Sequence, residues 1–361
     1  MRIITRYLVT EYIKIFGLGL AAFFLVFLVI ELFERINVVI VNRAPLSALF
    51  EYFLFTLPAF FSQTIHFAVL VATIITLGIL SRRNELVAMR THGIGYYRVV
   101  IPLFVIAALT SGVMFVCNET IVPVTLRKAE YIWDVRIKKE PRQTFFALNQ
   151  VWCRVDGTIF NVRFLDVRKH RLKGVTIYQF GDDFVLRRRI DAPEARWSKD
   201  GWSFAQATVR EFLPGGDMRT STHDYKDIAL PGKPEDFKKG MKQPEEMSYG
   251  ELRDYVDALE RDGYNASRYL VDLHAKMAFP FISLIMVLIG SPLALITEWK
   301  RGGGMVQGLG LSLVAGFLYW MSFSLSISLG HTGMLPPLVA AWGPNAFFGL
   351  VGGFLLESIN H

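Results

Sequence analysis

The stretch Tyr52–Leu80, YFLFTLPAFFSQTIHFAVLVATIITLGIL, decides the fold. It contains no Asp, Glu, Lys or Arg and is longer than the roughly 20 residues a helix needs to cross about 30 Å of hydrocarbon. Five further stretches share this character: Ile15–Ile30, Val99–Asn118, Met277–Thr297, Met305–Gly330 and Thr332–Leu356. The first of these is short, but it continues through Leu32 and Phe33 with only Glu31 interrupting it. Three stretches precede and three follow a polar segment spanning residues 119–276. The sequence therefore reads as a membrane α-helical bundle of six transmembrane helices, three plus three, with one large domain outside the bilayer inserted between helices 3 and 4.

Basic residues in the short loops choose between the two orientations. Arg2, Arg6 and Lys14 lie before or at the start of span 1. Arg82, Arg83, Arg90 and Arg98 lie between spans 2 and 3, and Lys300 and Arg301 between spans 4 and 5. The other side has Arg35 and Arg43 after span 1, and neither Lys nor Arg in the turn from His331 to Pro337. This bias predicts cytoplasmic termini and an insert that faces outward. The insert's own charges carry little weight, because long domains translocate largely regardless of charge. A cleaved signal peptide is not expected, since no small-residue cleavage site follows Ile30.

Composition agrees: 52% of residues are apolar, 29 are Phe, and the mean hydropathy is +0.34. The net charge of +7 follows largely from the loop excess beside anionic lipid head groups and calls for no nucleic acid. Cys117 falls in span 3 and Cys153 in the outer domain, so a disulfide between them is not expected, and no Cys/His spacing marks a metal site. The chain has no G-x-x-x-x-G-K-[ST] loop, no H-E-x-x-H and no G-x-S-x-G. It cannot hydrolyse ATP by a P-loop of its own.

Between Phe145 and Leu230 the pattern changes to short alternating runs, the signature of half-buried strands. Expected strands are Thr144–Leu148, Val151–Val155, Thr158–Phe164, Gly174–Phe180, Phe184–Ile190, Trp202–Ala207 and Val209–Leu213. Turn signals separate them at Asp156-Gly157, Gly181-Asp182-Asp183, Asp200-Gly201 and Pro214-Gly215-Gly216. Short strands at this spacing predict an all-β sandwich or jelly roll. Phe160, Val162 and Phe164 fall on one face of the third strand. Two readings of that face stand: a closed core, or an open apolar trough that holds acyl chains. Pro231–Met247 reads as a solvated linker. Ser248 and Glu251 form a capping box that starts a helix with Leu252, Tyr255, Val256 and Leu259 on one side and a stop at Gly263.

Polar residues within the spans are few: Gln63, His66, Asn118, Gln307 and the serines Ser322, Ser324, Ser326 and Ser328. His66 has no carboxylate in any span to pair with, which speaks against a proton relay. The serines, with Gly308, Gly310 and Gly316, suit close helix approach. The segment Ser81–Gly95, SRRNELVAMRTHGIG, differs from all of these. It is long enough for a short helix, with Leu86, Met89 and Val87 among Arg82, Arg83, Glu85 and Arg90. A helix of this kind between two spans can dock into a groove on a separate motor protein and pass rigid-body motion to the spans. It also fits an ordinary basic loop.

With six spans and a mid-chain β domain, this segment resembles the coupling helix of the lipopolysaccharide-export permeases, the LptF/LptG family. Matching features recur along nearly the whole chain: Arg6-Tyr7-Leu8, Asn84 to Arg90 with His92-Gly93-Ile94, Arg268-Tyr269 with Lys276 and Pro280, Gly290-Ser291-Pro292-Leu293, Arg301-Gly302-Gly303, Pro336-Pro337, and Ala341 to Asn345. Glu31 to Ile36, Gly174 to Tyr178 and Ala192 to Trp197 resemble the G-type sister more than the F-type. The resemblance implies an ABC-transporter permease subunit of the inner membrane, without an enzymatic site. It would extract lipopolysaccharide and pass it through its periplasmic β-jelly-roll domain. The implied partners are the sister permease LptF, an LptB ATPase dimer that uses ATP and Mg, the bitopic LptC, and a periplasmic bridge protein that meets the β domain. The implied division is residues 1–123 for spans 1 to 3, with the coupling helix at 81–95; 124–247 for the β domain and linker; 248–271 for a connecting helix; and 272–361 for spans 4 to 6.

Carried over by position, Glu85 matches the acidic coupling-helix residue that meets the ATPase, with Leu86 and Met89 as apolar anchors and Arg90 beside them. Some family members have lysines at the outer end of span 1, where this chain has Glu31 and Glu34. Arg35 and Arg43 are then the expected phosphate ligands, with Lys276 a second candidate whose alternative is snorkelling. Phe160, Val162 and Phe164 would line the lipid path. No catalytic residue, metal ligand or cofactor is implied in this chain. Two rival classes are a mechanotransmission-type ABC permease that moves no lipid, and a membrane-bound lipid-modifying enzyme. Four spans would suit the first better, and clustered Asp, Glu or His near a membrane face the second.

Overall fold

The computed structural model describes residues 2–139, 144–147, 150–155, 158–166, 171–181, 185–198, 201–213, 217–225, 243–261, 265–296 and 304–360. The turns read between the strands, most of the linker, the stop at Gly263 and the loop with Lys300 and Arg301 lie wholly or partly outside these residues. The chain divides into two compact units, Met1–Lys138 with Pro244–His361 and Lys139–Gln243.

The first unit is helical. Span 1 is α1 (Arg2–Val41) and span 2 is α2 (Leu46–Arg82); a short α3 (Glu85–Thr91) leads to span 3, α4 (Tyr96–Thr120). Next come α5 (Val122–Tyr131) and a π-helical segment, Ile132–Ile137. Residues 124–138, assigned from sequence to the β domain, are thus helical as far as Ile137 and belong to the unit that holds the spans. After the insert come α6 (Tyr249–Arg261), α7 (Ser267–Ala278), a 3-10 turn at Phe279–Phe281, α8 (Ile282–Ile296), α9 (Gly304–Thr332) and α10 (Pro337–Asn360). Six helical stretches among the described residues are long and apolar enough to cross a membrane, α7 and α8 together forming span 4.

Span 4 is broken because Pro280 cannot donate a backbone hydrogen bond. The turn there tightens, so Ile282 N–H bonds to the Phe279 carbonyl. In lipid a freed backbone group must find a partner within the protein, and the other spans supply it. Asn345 Nδ2 of span 6 donates to the Ala278 carbonyl at 2.9 Å. Ser111 Oγ of span 3 donates to the Pro280 carbonyl at 2.6 Å. The Tyr319 hydroxyl of span 5 donates to Asn345 Oδ1. His66 of span 2 meets Ser283 Oγ through Nδ1 at 3.0 Å and sets its ring against Phe279 at 4.8 Å. Four helices thus converge on one break.

The capping box forms as read: Glu251 N–H donates to Ser248 Oγ at 3.1 Å, and Ser248 N–H to Glu251 Oε2 at 3.2 Å. Glu119, at the end of span 3, adds a carboxylate to the same helix N-terminus, accepting from Tyr249 N–H at 2.6 Å and Gly250 N–H at 3.3 Å. The stripe Leu252, Tyr255, Val256 and Leu259 is buried.

The second unit is an antiparallel meander of seven strands in sequential order. They are β1 (Thr144–Ala147), β2 (Gln150–Val155), β3 (Thr158–Asp166), β4 (Arg171–Phe180), β5 (Leu186–Ser198), β6 (Gly201–Phe212) and β7 (Met218–Tyr225). Register aligns Phe160, Ile177, Ile190 and Val209 in one row across β3 to β6, and all four are buried. The opposite face carries polar pairs: Asp191 accepts from Thr176 Oγ1 at 3.0 Å and is ion-paired with Arg189 and Arg210. Among the described side chains, one face is buried in a cluster drawn from β3 to β6.

A crease crosses four strands. The ladder pairs Val162 with Val175 and then Phe164 with Lys173, stepping over Arg163 and Gly174. It resumes likewise on either side of Pro193 and Gln206. Gly174 has φ +62°, and Gln206 φ +52°. On each described strand the buried phase shifts by one residue there: Leu172 then Val175, Ala192 then Ala195, Phe204 then Ala207. Pairing keeps its register across the crease from β3 to β6, so it is a kink within the strands, and a register shift follows between Phe204 and Ala207 where β6 meets β7.

Candidate functional site

The short helix between spans 2 and 3 exists, and its boundaries have local causes. Span 2 ends where Asn84 takes a left-handed conformation, φ +58°, which Asn tolerates better than most residues. The helix ends in a Schellman motif: Gly93 has φ +77°, Gly93 N–H bonds to the Arg90 carbonyl and Ile94 N–H to the Met89 carbonyl, each at 3.0 Å.

Its side chains divide differently from the sequence reading. Leu86, expected as an anchor for a partner, is 4% exposed and belongs to the core of the bundle with Leu8, Tyr12, Leu80 and Val99. Met89 is half-buried against the same core. The exposed surface consists instead of Val87, Ala88, Arg90, Thr91 and His92, with Val87 its large apolar residue, 53% exposed. Arg90 also lies over the Tyr96 ring at 5.3 Å. Glu85 is engaged within the chain: its Oε1 accepts from the Tyr7 hydroxyl at 3.3 Å and lies 3.9 Å from Arg83 Nη1. The periodicity of a seven-residue helix was too short to show which side faced the bundle.

At the other end of span 1 the expected phosphate ligands part company. Arg35 Nε donates to Glu31 Oε1 at 2.6 Å, and the Tyr52 hydroxyl donates to the same oxygen at 3.1 Å. The guanidinium lies over Trp133 at 4.2 Å and Tyr52 at 5.0 Å. Arg35 therefore ties span 1 to span 2 and to the π-helical segment, and Glu31 neutralises it in place. Nearby, Arg136 pairs with Glu51 and Lys128 lies over Phe55 at 5.2 Å. Arg43 is exposed in the turn after span 1, at φ +47°. Lys276 is half-buried among the acids Glu245, Glu119, Asp272 and Glu251. The structure thus places Arg35, Arg43 and Lys276 in three separate settings, and of these Arg43 is the exposed one.

Phe160 and Val162 are buried in the apolar face of the sheet. Phe164 pairs in register with Lys173, beyond the crease, and its side chain lies outside the described residues.

Sequence reasoning passed over Ser111, Ser283 and Tyr319, and met Asn345 only within a motif. A carboxamide or hydroxyl deep in a charge-free span was the available signal, since such groups in lipid are expected to be partnered. Of the small residues singled out, Gly316 faces the Phe67 ring, where an added Cβ would meet carbons at 3.1 Å, and Ser326 Oγ donates to the Ala340 carbonyl at 2.8 Å. Gly310 has open space around it. Ser62 Oγ meets Asn118 Oδ1 at 2.8 Å. No group of His, Cys, Asp and Glu among the described residues is arranged to hold a metal ion.

Comparison with known proteins accounts for this combination of six spans, an inserted β unit and a short helix between spans 2 and 3. The family model for the lipopolysaccharide export system permease LptF/LptG matches residues 6–358. The lipopolysaccharide export system permease protein LptG of Escherichia coli K12 is 22% identical over 295 residues, 80% of this chain and 79% of that protein. The Haemophilus influenzae LptG is 23% identical over 312 residues, 84% of this chain and 83% of its own. This chain belongs to the LptF/LptG family of lipopolysaccharide export permeases, a multi-pass inner-membrane transporter subunit and not an enzyme.

Proposed function

We propose that this chain is the G-type permease of a lipopolysaccharide exporter. It pairs with an F-type sister and is driven by a separate cytoplasmic ATPase that uses ATP and Mg. Its termini are cytoplasmic and its β unit is periplasmic, as the loop charges suggest. The bitopic LptC and a periplasmic bridge protein complete the path, the bridge meeting the β unit.

The observation that carries this reading is α3. Its root, Leu86, is sunk in the core to which all six spans contribute, while Val87, Ala88, Arg90 and His92 form an exposed surface. A push on that surface is delivered to packed helices rather than absorbed by a loop. An outside motor is needed on energetic grounds. Withdrawing an acyl chain from a bilayer into water costs about 0.8 kcal/mol per CH₂, and a lipid with several chains exceeds what thermal fluctuation supplies. Of the three candidate cations, Arg43 is the exposed one, and we assign it the phosphate contact.

The test is mass spectrometry of the proteins and lipids that co-purify with the tagged chain from native membranes in mild detergent. Recovery of a cytoplasmic ATPase, a second six-span permease and lipid A together supports the exporter. The ATPase without lipopolysaccharide would shift the reading to force transmission, and neither would return it to a lipid-modifying enzyme.

A further inference from the structure

We propose that the Tyr7 hydroxyl is the positioning group through which movement of α3 reaches span 1. The proposal rests on the reading of α3 as the surface that meets the ATPase.

Span 1 packs one side on span 2, Phe23 against Phe67 at 5.8 Å and Phe27 against Phe60 at 4.8 Å, with Gly19 beside Ala68 and Val71. None of its most apolar window is buried, and Leu18, Leu25 and Phe33 are among its exposed residues. Its mid-span contacts with span 2 are apolar. At the α3 end two contacts are available. One is apolar: Leu8 and Tyr12 share a core with Leu86. The other is a polar triangle at the bend between span 2 and α3. Arg83 Nη1 donates to the Tyr7 hydroxyl at 2.9 Å, the hydroxyl donates to Glu85 Oε1 at 3.3 Å, and Arg83 and Glu85 stand 3.9 Å apart. Apolar contacts resist separation but permit sliding, because they have no direction. A hydroxyl that both accepts from one residue and donates to another two positions along fixes orientation. Since Arg83 and Glu85 flank Asn84, the left-handed residue at which the chain turns, Tyr7 is set against the bend itself. Rotation of α3 about that bend must carry Tyr7 with it, straining the bond from Arg83 on the span 2 side, or break the bond to Glu85.

The test uses the complete complex in lipid nanodiscs with lipopolysaccharide as the added lipid. In Tyr7→Phe the ring remains and the hydroxyl is lost. The expected result is normal recovery of the ATPase with the permease, unchanged basal hydrolysis, and a loss of about threefold to tenfold in lipopolysaccharide-stimulated hydrolysis, the scale of one or two surface hydrogen bonds to charged groups. A role in packing alone would lower complex yield and basal rate together. As a measurement independent of that variant, spin labels at Ile13→Cys and Ala88→Cys, with Cys117 and Cys153 replaced by Ser, should keep one distance between resting and nucleotide-trapped states. A label pair from Ile13 to span 2 should change. Full stimulation in Tyr7→Phe, or α3 moving apart from span 1 on trapping, overturns the proposal. Failure of any ATPase to co-purify with the unaltered chain overturns the reading beneath it instead.

Discussion

Spans 1 and 2 are almost equally apolar, yet 83% of the most apolar window of span 2 is buried and none of that of span 1. The difference lies in the kind of residue, not in hydropathy. Span 2 buries Ala59, Ala68 and Ala72, which let neighbours come close, and Thr56, Ser62, Thr64, His66, Thr73 and Thr76, which are polar. Span 1 turns large side chains such as Leu18, Leu25, Val29 and Phe33 outward. Lipid tails are as apolar as leucine, so hydrophobicity gives no drive for two helices to associate inside a bilayer. Close packing of small residues and internal hydrogen bonds do. Span 2 is therefore the axis on which the bundle is assembled, and span 1 lies on its outside, held mid-span through Gly19, Phe23 and Phe27 and near its ends by Tyr7, Leu8 and Tyr12 at one and Glu31, Arg35 and Val39 at the other.

The contrast is broken most severely at the seam between spans 2 and 4. A Cβ at Gly290 would stand 3.1 Å from Leu70 Cδ1 and 3.2 Å from Thr73 Cγ2, so Gly290→Leu should lose about 3 kcal/mol or more by overpacking. A large fall in the unfolding midpoint in detergent would register it. Next comes Asn345→Leu, which leaves the Ala278 carbonyl and the Tyr319 hydroxyl without their partner; about 2 kcal/mol is expected from the buried orphans, measured the same way. At the outer fastening of span 1, Arg35→Met should cost about 1 kcal/mol through the lost Glu31 bond and stacking. That loss should appear in lipopolysaccharide-free protein. A midpoint changed solely when lipopolysaccharide is present would make Arg35 a phosphate ligand after all. The smallest effect belongs to Leu18→Ala, at 75% exposure in span 1, where less than about 0.5 kcal/mol is expected for the isolated chain. A drop comparable to Gly290→Leu would erase the distinction between the two spans.

The spans could be read directly because a charge-free run of their length has one physical outcome in water and lipid. The helix beyond the insert was equally plain, since Ser248 and Glu251 bond to each other and the signal is entirely local. The β unit was legible in kind but not in phase. Alternation stops at Gly174, Pro193 and Gln206, and the strand limits read from sequence fall beside those residues: β4 was started at Gly174, β5 ended at Ile190, and β6 split after Ala207. A kink that keeps register looks like the end of a strand when its neighbours in the sheet are not known. β7, MRTSTHDY, escaped notice because it carries no alternating apolar face. The site was least legible. Leu86 and Val87 are adjacent and both apolar, and only the position of the bundle tells which is core and which is surface. Arg35 is a cation at a membrane face in either account; what engages it inside the chain is Trp133, distant in sequence and placed by the helical continuation of residues 124–137.

The most direct test of the account places a photoreactive phenylalanine analogue at Phe33, 71% exposed on span 1, and in parallel at Ile74, fully buried in span 2. The complete complex in native membranes is irradiated with and without ATP turnover, and the crosslinked species are identified. The account predicts a lipopolysaccharide adduct at Phe33 whose yield changes with turnover, and none at Ile74. Adducts at Phe33 with phospholipid alone, in a complex that is hydrolysing ATP, would contradict it.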